Sequence, residues 1–431
     1  MLNRPFDPET RIVSRADRPA VIERSCDICV VGSGASGASA AIEAARAGRK
    51  VILGDGLPSL GGQAVNSIIG MFCGLYTPGK EGRQLTHGIA DDILRDLGTT
   101  GEVRVVAGGV MKVAMYNEVA LGRWVEKAIV AAGVTPLTGA IIRKVNRDGR
   151  RITSLDAATR HGDVRIAATG FIDATGDAAL TWEAGFECRV HKHGQIFGSQ
   201  MIVIEDFDET VKPSWDEMAA RIAARGEHYG MMRRDGFVAN FPGRNVAIVN
   251  MTHIETPLDP FEAAVKQIDG KEQADRTLVF LRNEFPAAFG KARIRAYGLA
   301  GVRQTRWIVG THHLTTAEVR AATVFEDAIA RCSWPLEQHH NREGYVWEVF
   351  PDDHIHTIPL GSLTVAGADN LCAVGRCIDA DSTALSSVRV MGPCIAMGAA
   401  AAHALDLAGT GSVHAIDRQA LKRRVRHNLE G

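Results

Sequence analysis

Apolar and polar positions alternate between a strand pattern and a helix pattern over residues 25–190. Apolar runs of strand length at 27–31 and 51–53 flank a helical stretch of small residues at 38–47. A longer helix is predicted over 121–132, because apolar residues recur there every third or fourth position and Gly133 follows as a stop. This alternation of strands and helices is typical of an α/β fold with a parallel sheet.

Four further regions have their own patterns. Short strands after the long helix are separated by turn signals at 147–150 and 160–163, which are typical of β-hairpins. Residues 191–356 are richer in histidine, aromatic and charged residues and show no repeated strand–helix rhythm. From Thr357 the chain is again small and apolar, with a strand predicted at 371–374 and a helix over about 391–407. Residues 1–24 are polar and irregular, and we expect an arm that lies on the body or on a partner subunit.

The composition excludes several classes of protein. Of 431 residues, 45% are hydrophobic and 23% are charged, which is typical of a folded chain rather than a disordered one. A net charge of −1 provides no electrostatic footprint for nucleic acid or for an anionic membrane surface. The apolar tract 391–409 carries His403 and Asp406 and indicates a buried helix rather than a membrane span. Because the N-terminal residues lack the pattern of a signal peptide, we expect a cytoplasmic protein.

The cysteine and histidine spacings predict no metal site. Eight cysteines in a chain of this length suit free thiols in a reducing compartment. Cys26 and Cys29 lie three apart in a predicted strand, so their side chains are expected on opposite faces and to be structural. No H-E-x-x-H or comparable Cys/His spacing occurs.

The strongest motif is a glycine-rich turn at residues 32–37, placed directly after the first strand and before the first helix. In this G-x-G-x-x-G pattern, Gly32 allows the tight turn, Gly34 lets the backbone approach a pyrophosphate, and Gly37 lets helix and strand pack closely. The helix N-terminus offers free N–H groups to phosphates. Asp55 follows after about 20 residues, where an acidic side chain can hold ribose hydroxyls. The combination predicts dinucleotide binding.

Four further segments narrow the dinucleotide to FAD through a resemblance. The segments are Leu60-Gly61-Gly62-Gln63, the Ala-Thr-Gly-Asp run that ends at Asp177, the run 370–376 that ends in Gly375-Arg376, and 387–391 with the Ala-rich helix after it. With the stretch 301–315, they resemble the FAD-dependent oxidoreductase family of the glutathione-reductase-like flavoprotein superfamily, over roughly residues 25–410. The resemblance implies a Rossmann-type FAD-binding domain, with a parallel sheet and a β-meander, built from residues 25–190 and 357–431. Residues 191–356 would form an inserted α+β substrate or cap domain.

The resemblance also implies which residues contact FAD. Gly32, Gly34, Ser36 and Gly37 would meet the pyrophosphate and Asp55 the adenosine ribose, Gly62 and Gln63 would run beside the flavin, Gly375, Arg376 and Asp381 would meet the ribityl-diphosphate or the ring, and Asp177 and Arg389 would complete the site. The helix after Arg389 would stabilise negative charge on the reduced flavin through its dipole. Asp55 departs from the longer Glu common in the family, so we expect a looser ribose contact.

Candidate catalytic residues come from the inserted region. His354 and His356 lie two apart before Pro359, so they share a face if the segment is a strand, and either can exchange a proton near neutral pH. Arg303 and Arg306 can orient an anionic group through paired N–H donors. The alternative is that all four are surface, ion-paired or core residues. Cys73 is expected to be a packed core residue rather than a flavin contact.

The sequence therefore predicts an FAD-dependent dehydrogenase that moves a hydride between flavin N5 and a small polar substrate, which can carry a carboxylate. A flavin monooxygenase or halogenase that uses externally reduced flavin is the alternative, as is a flavin-binding subunit of a redox complex. The expected partners are a small-molecule substrate and an external electron acceptor or donor, namely oxygen, a quinone or a carrier protein. Neither nucleic acid nor a membrane is expected as a partner, and a homo-oligomer remains open.

Because the chain has a single dinucleotide fingerprint, NADH and NADPH should reduce its flavin poorly. Stopped-flow mixing of the anaerobic protein with either nucleotide should give reduction well below the rates of turnover typical of enzymes, about 1–10³ s⁻¹. Reduction by NADH or NADPH within that range would show that the chain binds a second nucleotide.

Overall fold

The computed structural model describes residues 21–79, 81–108, 111–191 and 196–430, together with residues 14 and 16. The strands of this part are β1 (Ile22–Val31), β2 (Val51–Asp55), β3 (Met71–Phe72), β4 (Val103–Gly108), β5 (Met111–Tyr116), β6 (Thr135–Thr138), β7 (Ile141–Asp148), β8 (Arg151–Thr159), β9 (Gly162–Asp173), β10 (Cys188–Val190), β11 (Ile202–Glu205), β12 (Phe237–Asn240), β13 (Val246–Asn250), β14 (Arg293–Tyr297), β15 (Arg306–Ile308), β16 (Ala328–Cys332), β17 (Leu336–Gln338), β18 (Val346–Glu348), β19 (His356–Pro359) and β20 (Leu371–Ala373). The helices are α1 (Ala35–Arg46), α2 (Gly62–Asn66), α3 (Ile89–Thr99), α4 (Glu118–Ala131), α5 (Ala179–Glu183), α6 (Trp215–Arg225), α7 (Pro260–Glu284), α8 (Pro286–Phe289), α9 (Thr316–Arg320), α10 (Ser382–Val388), α11 (Met391–Ala408) and α12 (Arg418–Arg424).

The main sheet has the strand order β6-β2-β1-β9-β8-β7, and β20 also pairs with β9. β1 is parallel to β2 and β9, β6 is parallel to β2, and β20 is parallel to β9. The last part of β1, residues 28–31, is buried on both faces, which explains its continuous apolar run. β7, β8 and β9 form an antiparallel meander whose turns lie at the two predicted hairpins. The fold is a mixed α/β fold with a sheet that contains parallel strands.

Helices α1 and α11 pack against each other beside the buried strand β1. Their contact depends on small residues, because a Cβ at Gly398 would lie 2.0 Å from the carbonyl oxygen of Ser36. By length and composition alone α11 could cross a membrane, but 72% of its 18-residue window is buried inside the protein. The tract predicted as a buried helix is therefore a core helix of the main domain.

A second, antiparallel sheet has the order β12-β13-β11-β14 and a core of its own. Apolar residues of α6, α7 and α8 cover this sheet, including Ile222, Leu281 and Phe289, each with no side chain exposed. The separate core is thus built from residues between 202 and 297, a shorter segment than the predicted 191–356.

The chain returns to the main body before the predicted boundary at residue 356. β15 pairs with β10, and β16 pairs with β19, while Leu314, Ile329 and Leu336 are buried in the main apolar cluster. Composition does not reveal this return, because the segment 301–356 also buries polar residues, among them Arg331, His354 and His356.

Other boundaries also shift from the sequence prediction. β1 begins at Ile22, which pairs with Val164, so residues 22–24 of the predicted arm belong to the main sheet. Most of that arm, residues 1–13, 15 and 17–20, lies outside the described residues. α1 and α4 begin three residues earlier than predicted, each at the first residue after a capping position.

Cys26 and Cys29 correct a further prediction, because both side chains lie in the same apolar cluster rather than on opposite faces. The amides of Asp27 and Ile28 both donate to the carbonyl of Lys50, at 2.8 and 3.2 Å. Two donors on one carbonyl mark an irregularity of the bulge type, which breaks the alternation of side chains along the strand. Both cysteines are free thiols.

Gly37→Ala should destabilise the fold, because the new Cβ would lie 1.8 Å from the carbonyl oxygen of Gly32. We expect a loss of about 1–3 kcal/mol in the free energy of unfolding of FAD-free protein, measured by denaturant titration. Gly34→Ala is the matched control, since a Cβ there meets nothing within 4 Å. Equal stability of the two variants would contradict this account of the turn.

Candidate active site

A cavity of about 610 Å³ opens where β1, β9 and β20 end. Ligands of open α/β sheets bind at such carboxyl ends of parallel strands. The cavity is lined by the glycine turn, by the start of α2, by residues 174–177 after β9, and by the segments that follow β20 and α10. Of the predicted cofactor contacts, the lining includes Gly32, Gly34, Ser36, Asp55, Gly62, Gln63, Asp177, Gly375, Arg376 and Arg389.

The glycine turn is shaped by two close backbone contacts. Gly32 has φ +101°, and a Cβ there would lie 2.2 Å from the carbonyl oxygen of Ala174. Gly37 lies behind the turn rather than in the cavity lining, where it contacts the carbonyl of Gly32. Gly34 is the N-cap of α1 and faces open space. The backbone of Gly34 is therefore free to approach a ligand at the positive end of the α1 dipole.

Asp55 holds this turn in place. Its Oδ2 accepts hydrogen bonds from both the backbone N–H and the hydroxyl of Ser33, each at 2.6 Å, and its Oδ1 accepts from the N–H of Leu57 at 2.8 Å. The carboxylate is buried but borders the cavity. Asp55 therefore orders the turn itself, in addition to any contact with a ribose.

The start of α2 lies against the turn. Gly62 has φ +52°, and a Cβ there would lie 2.6 Å from the Cα of Gly34. The side chain of Gln63 accepts a hydrogen bond from the N–H of Val302 at 3.2 Å. Gln63 thus ties the cavity to the segment 299–303, whose Leu299 and Ala300 also line it.

Arg376 reaches the cavity from the segment after β20. Its Nη1 lies 3.6 Å from Oδ1 of Asp177, beyond hydrogen-bond distance, and it is buried with no hydrogen-bond partner among the described residues. A buried N–H donor without an acceptor costs free energy, unless a bound ligand supplies the acceptor. Oδ1 of Asp177 is instead engaged by the hydroxyl of Thr305 at 2.6 Å.

Asp381 lies elsewhere, which corrects its predicted contact with the cofactor. It is the N-cap of α10, where it accepts from the N–H of Ala384 at 2.8 Å. Its two oxygens also accept from the hydroxyl and the N–H of Thr316, at 2.6 and 2.5 Å. Asp381 does not line the cavity. A carboxylate with all these partners serves the packing of α9 against α10.

The two predicted arginines do not meet at one ligand. Arg303 donates to the carbonyl of Phe197 at 2.6 Å and to the hydroxyl of Ser199 at 3.0 Å. The guanidinium of Arg306 lies instead over the ring of Trp182, 4.7 Å from its centroid, and Trp182 is exposed. Residues three apart separate here because Arg306 starts strand β15, whereas Arg303 lies in the loop before it.

The two predicted histidines form a buried pair away from the cavity lining. Nε2 of His354 lies 3.1 Å from Nδ1 of His356, whose Nε2 lies 3.2 Å from the hydroxyl of Ser387. His356 is 1% exposed, and burial, with the charge of His354, lowers its pKa to about 3. The ring of His354 stacks on Phe350 at 3.9 Å between centroids. This geometry places the pair in the core and does not favour contact with a substrate.

A second polar cluster, which sequence analysis did not identify, lies beside Arg303 and Arg389. Glu337 is within hydrogen-bond distance of His339, with Oε1 2.8 Å from Nε2, and the carbonyl of Glu337 accepts from Arg389 at 3.4 Å. The N–H of Phe197, whose carbonyl binds Arg303, donates to the carbonyl of His339 at 2.9 Å. The signal was present, since Glu337 lies on β17 and His339 directly follows that strand, two residues away, which is the spacing that pointed to His354 and His356.

The pKa shifts in this polar cluster follow from burial and from the arginines. Burial, then the charge of Arg303, lowers the pKa of His339 well below its ordinary value. Burial also lowers the pKa of Arg303, as does the nearby charge of Arg389. Burial opposes ionisation of Glu337, but the contact with His339 and the charges of both arginines lower its pKa below the ordinary range.

Taken together, the cavity at the strand ends, the open helix N-terminus and the unpartnered guanidinium nitrogen define a nucleotide-cofactor-binding α/β enzyme. The model of the FAD dependent oxidoreductase family matches residues 27–425. The chain therefore belongs to this family, it is an FAD-dependent oxidoreductase, and FAD is its cofactor. The cavity fits FAD, because the open backbone at Gly34 and the buried Nη1 of Arg376 can both bind a negatively charged phosphate.

The solved structures that match this chain are distant from it in sequence. They include a geranylgeranyl bacteriochlorophyll reductase-like protein from Thermoplasma acidophilum, with 13% identity over 94% of this chain and 83% of that chain and a TM-score of 0.47. The flavin-dependent brominase Bmp2 has 12% identity over 94% and 83%, with a TM-score of 0.47. PqsL from P. aeruginosa has 15% identity over 94% and 93%, with a TM-score of 0.43. No curated protein matches the chain. At these identities and scores, no residue role or substrate is transferred.

Gly34→Val should yield folded protein that is largely free of FAD. The branched side chain would fill the space through which the backbone approaches the cofactor, while a Cβ there contacts no protein atom within 4 Å. The flavin released on denaturation, measured per chain, should fall at least tenfold, and the unfolding midpoint of FAD-free protein should stay close to that of wild type. Full flavin content in this variant would contradict the assignment of the turn.

Proposed function

We propose that this enzyme is a dehydrogenase that transfers a hydride between FAD and a small, polar, anionic substrate. The main support is an excess of positive charge beside the FAD cavity. Arg303 and Arg389 are both largely withdrawn from water, and the side-chain hydrogen bonds that the described part of the chain gives them go to backbone carbonyls and a hydroxyl rather than to a carboxylate. Burial lowers the pKa of both guanidinium groups. Glu337 supplies the one negative charge that acts on both of them, so two positive charges face one shared negative charge. A substrate carboxylate would balance the remaining charge.

The residues around the cavity suggest how FAD is held. The turn from Gly32 to Gly37 and the N-terminus of α1 would bind the pyrophosphate, and Arg376 would pair with a phosphate oxygen. Asp55 would meet the adenosine ribose from its position below the turn. This arrangement is consistent with the glutathione-reductase-like flavoproteins. When bound, FAD supplies the acceptor or donor for a hydride, and the protein supplies binding, orientation and electrostatics.

Arg389 would stabilise charge at the far end of the cavity. It is the C-cap of α10, directly before α11, and both Arg389 and Met391 line the cavity. The N-terminus of α11 therefore lies at the same end, where a helix dipole favours negative charge, although Gly392 already donates its N–H to the carbonyl of Cys73 and Pro393 has none. Arg303 would orient the substrate carboxylate from the opposite side, through N–H donors left over from its bonds to Phe197 and Ser199.

The separate sheet of residues 202–297 would act as the substrate or cap domain. Its strand β11 leads back to Ser199, which binds Arg303, and β14 leads directly into Leu299 and Ala300 in the cavity lining. A cap in this position would enclose the substrate and exclude water from the site. The oxidant that completes turnover would be external, namely oxygen, a quinone or a carrier protein. Eight free thiols support a location in a reducing compartment such as the cytoplasm.

The proposal is tested by anaerobic titration of the purified, FAD-loaded enzyme with hydroxy acids, amino acids and uncharged alcohols. An anionic substrate should bleach the flavin absorbance, and its uncharged analogue should do so only weakly. Bleaching by uncharged substrates alone would contradict the anionic class. A flavin that no donor reduces, but that hydroxylates or halogenates a substrate once chemically reduced in oxygen, would favour the monooxygenase or halogenase alternative.

Arg303→Gln should weaken the binding of the anionic substrate by about 10–100-fold, because a charge-assisted hydrogen bond contributes about 1.5–3 kcal/mol. FAD content should be unchanged, since Arg303 does not line the FAD cavity. The dependence of the flavin reduction rate on substrate concentration gives the affinity. Arg293→Gln, an exposed arginine on β14 with 65% side-chain exposure, is the matched control. Unaltered affinity in Arg303→Gln would remove this residue from the substrate site.

A further inference from the structure

Three side chains beside the FAD cavity form a continuous hydrogen-bond chain that ends on a backbone carbonyl. Nδ1 of His253 lies 3.0 Å from the carbonyl oxygen of Arg342, and Nε2 of His253 lies 3.2 Å from Nδ1 of His339. Nε2 of His339 then lies 2.8 Å from Oε1 of Glu337. His253 is completely buried and His339 is 1% exposed, so water does not complete these contacts.

The carbonyl fixes the tautomer of both imidazoles. A carbonyl oxygen only accepts, so Nδ1 of His253 must carry a proton, and its Nε2 is then the acceptor in the neutral ring. Nδ1 of His339 must therefore donate to His253, which leaves Nε2 of His339 without a proton. That nitrogen faces Oε1 of Glu337, which is also an acceptor when Glu337 is ionised.

Two neutral histidines and an ionised carboxylate supply two protons to these three side-chain contacts. One of the three contacts therefore lacks a proton. The vacant position lies between Nε2 of His339 and Oε1 of Glu337. The carboxylate cannot turn away, because its other oxygen accepts from Nε1 of Trp334 at 2.9 Å. A titration at this position belongs to the pair as a unit rather than to either residue.

The pair is placed where a substrate would lie. The side chain of Glu337 is 21% exposed, whereas that of His339 is 0% exposed, so Glu337 is the accessible end. The backbone of Glu337 binds Arg389, which lines the FAD cavity, and the backbone of His339 binds Phe197, which in turn binds Arg303. Both arginines proposed to face the substrate and the cofactor thus flank the vacant position.

We propose that Glu337 and His339 together form the proton-accepting group of this enzyme, and that His253 positions it; the proposal rests on the proposed dehydrogenase function. When the substrate is oxidised, its O–H or N–H bond breaks and the proton enters the position between Oε1 of Glu337 and Nε2 of His339. Its C–H bond also breaks, and the hydrogen leaves with both bonding electrons as a hydride that the cofactor accepts. In the reverse direction, the same position returns the proton. Glu337 is the catalytic residue, since it is the accessible member.

The buried pair His354 and His356 lacks the features that support this role. Its chain runs from one imidazole to the next and ends at the hydroxyl of Ser387, which donates to the carbonyl of Trp334 at 2.5 Å. No carboxylate ends that chain in the described part of the molecule, and no hydrogen bond there joins its members to Arg389 or to Phe197, the partner of Arg303.

Glu337→Gln tests the proposal, because the amide is isosteric and its N–H can fill the vacant position permanently. We expect folded protein with full FAD content and a rate of substrate-driven flavin reduction lowered by about 10²–10⁴-fold. The reduction rate of wild type should depend on pH through the titration of the pair, and that dependence should be absent from the variant. Glu343→Gln, an exposed glutamate six residues along the chain, is the matched control.

A second readout does not depend on activity. Nitrogen-15 NMR of labelled histidine in the oxidised, substrate-free protein reports the tautomer of each ring. In wild type, His253 and His339 should both carry the proton on Nδ1, and Nε2 of His339 should titrate. In Glu337→Gln, Nε2 of His339 should no longer titrate. His253→Phe removes the link to the Arg342 carbonyl and should allow His339 to adopt the Nε2–H form. The other groups that act on the pair are Arg303, Arg389, Tyr345 and Cys73, which all remain in these variants.

The outcomes separate this proposal from the proposed function. If His339 in wild type carries its proton on Nε2 at every pH, or if Glu337→Gln reduces at the wild-type rate with the same pH profile, Glu337 and His339 are not the proton-accepting group. If the NMR result is as expected but no anionic substrate reduces the flavin, the proton position is correct and the substrate class is wrong.

Discussion

The close contact between the backbones of Gly32, Gly37 and Ala174 is the constraint on which the rest of the structure depends. It joins the end of β1 to the start of α1 and to the end of β9, with no space for a side chain. Asp55 fixes the same turn from below by binding Ser33. Because these contacts orient α1, they also set the surface on which α11 packs and the space in which FAD binds.

The main sheet and its cofactor-binding turn could largely be predicted from the sequence, because local sequence signals determine them. An apolar strand, three glycines and a helix of small residues form one short segment, and the hairpin turns of the meander carry their own residue signatures. The extent of the second domain was harder to predict. Residues 301–356 belong with the main core through the pairing of β16 with β19 and of β15 with β10, and these contacts join segments far apart in sequence.

The proposed catalytic residues were the hardest to predict from the sequence, for a physical reason. A spacing of two predicts only that two side chains share a face of a strand, not whether that face meets a cavity or the core. His354 and His356 have this spacing and are buried against Phe350 and Ser387. Glu337 and His339 have the same spacing beside the arginines. The predicted contact of Asp381 with the cofactor was wrong for a similar reason, since an acidic residue before a helix can cap that helix instead of binding a ligand.

The packing of α1 against α11 has a consequence for how the protein is made. The two helices are separated by more than three hundred residues, yet Gly398 must lie against Ser36 for either to be buried. Such a contact carries a large loop-closure cost and forms late during folding. During synthesis, β1 and α1 must therefore wait until the residues of α11 have emerged, with an apolar face of α1 uncovered in the interval. Exposed apolar surface of this kind favours chaperone binding, and FAD would bind only after α11 has packed on α1.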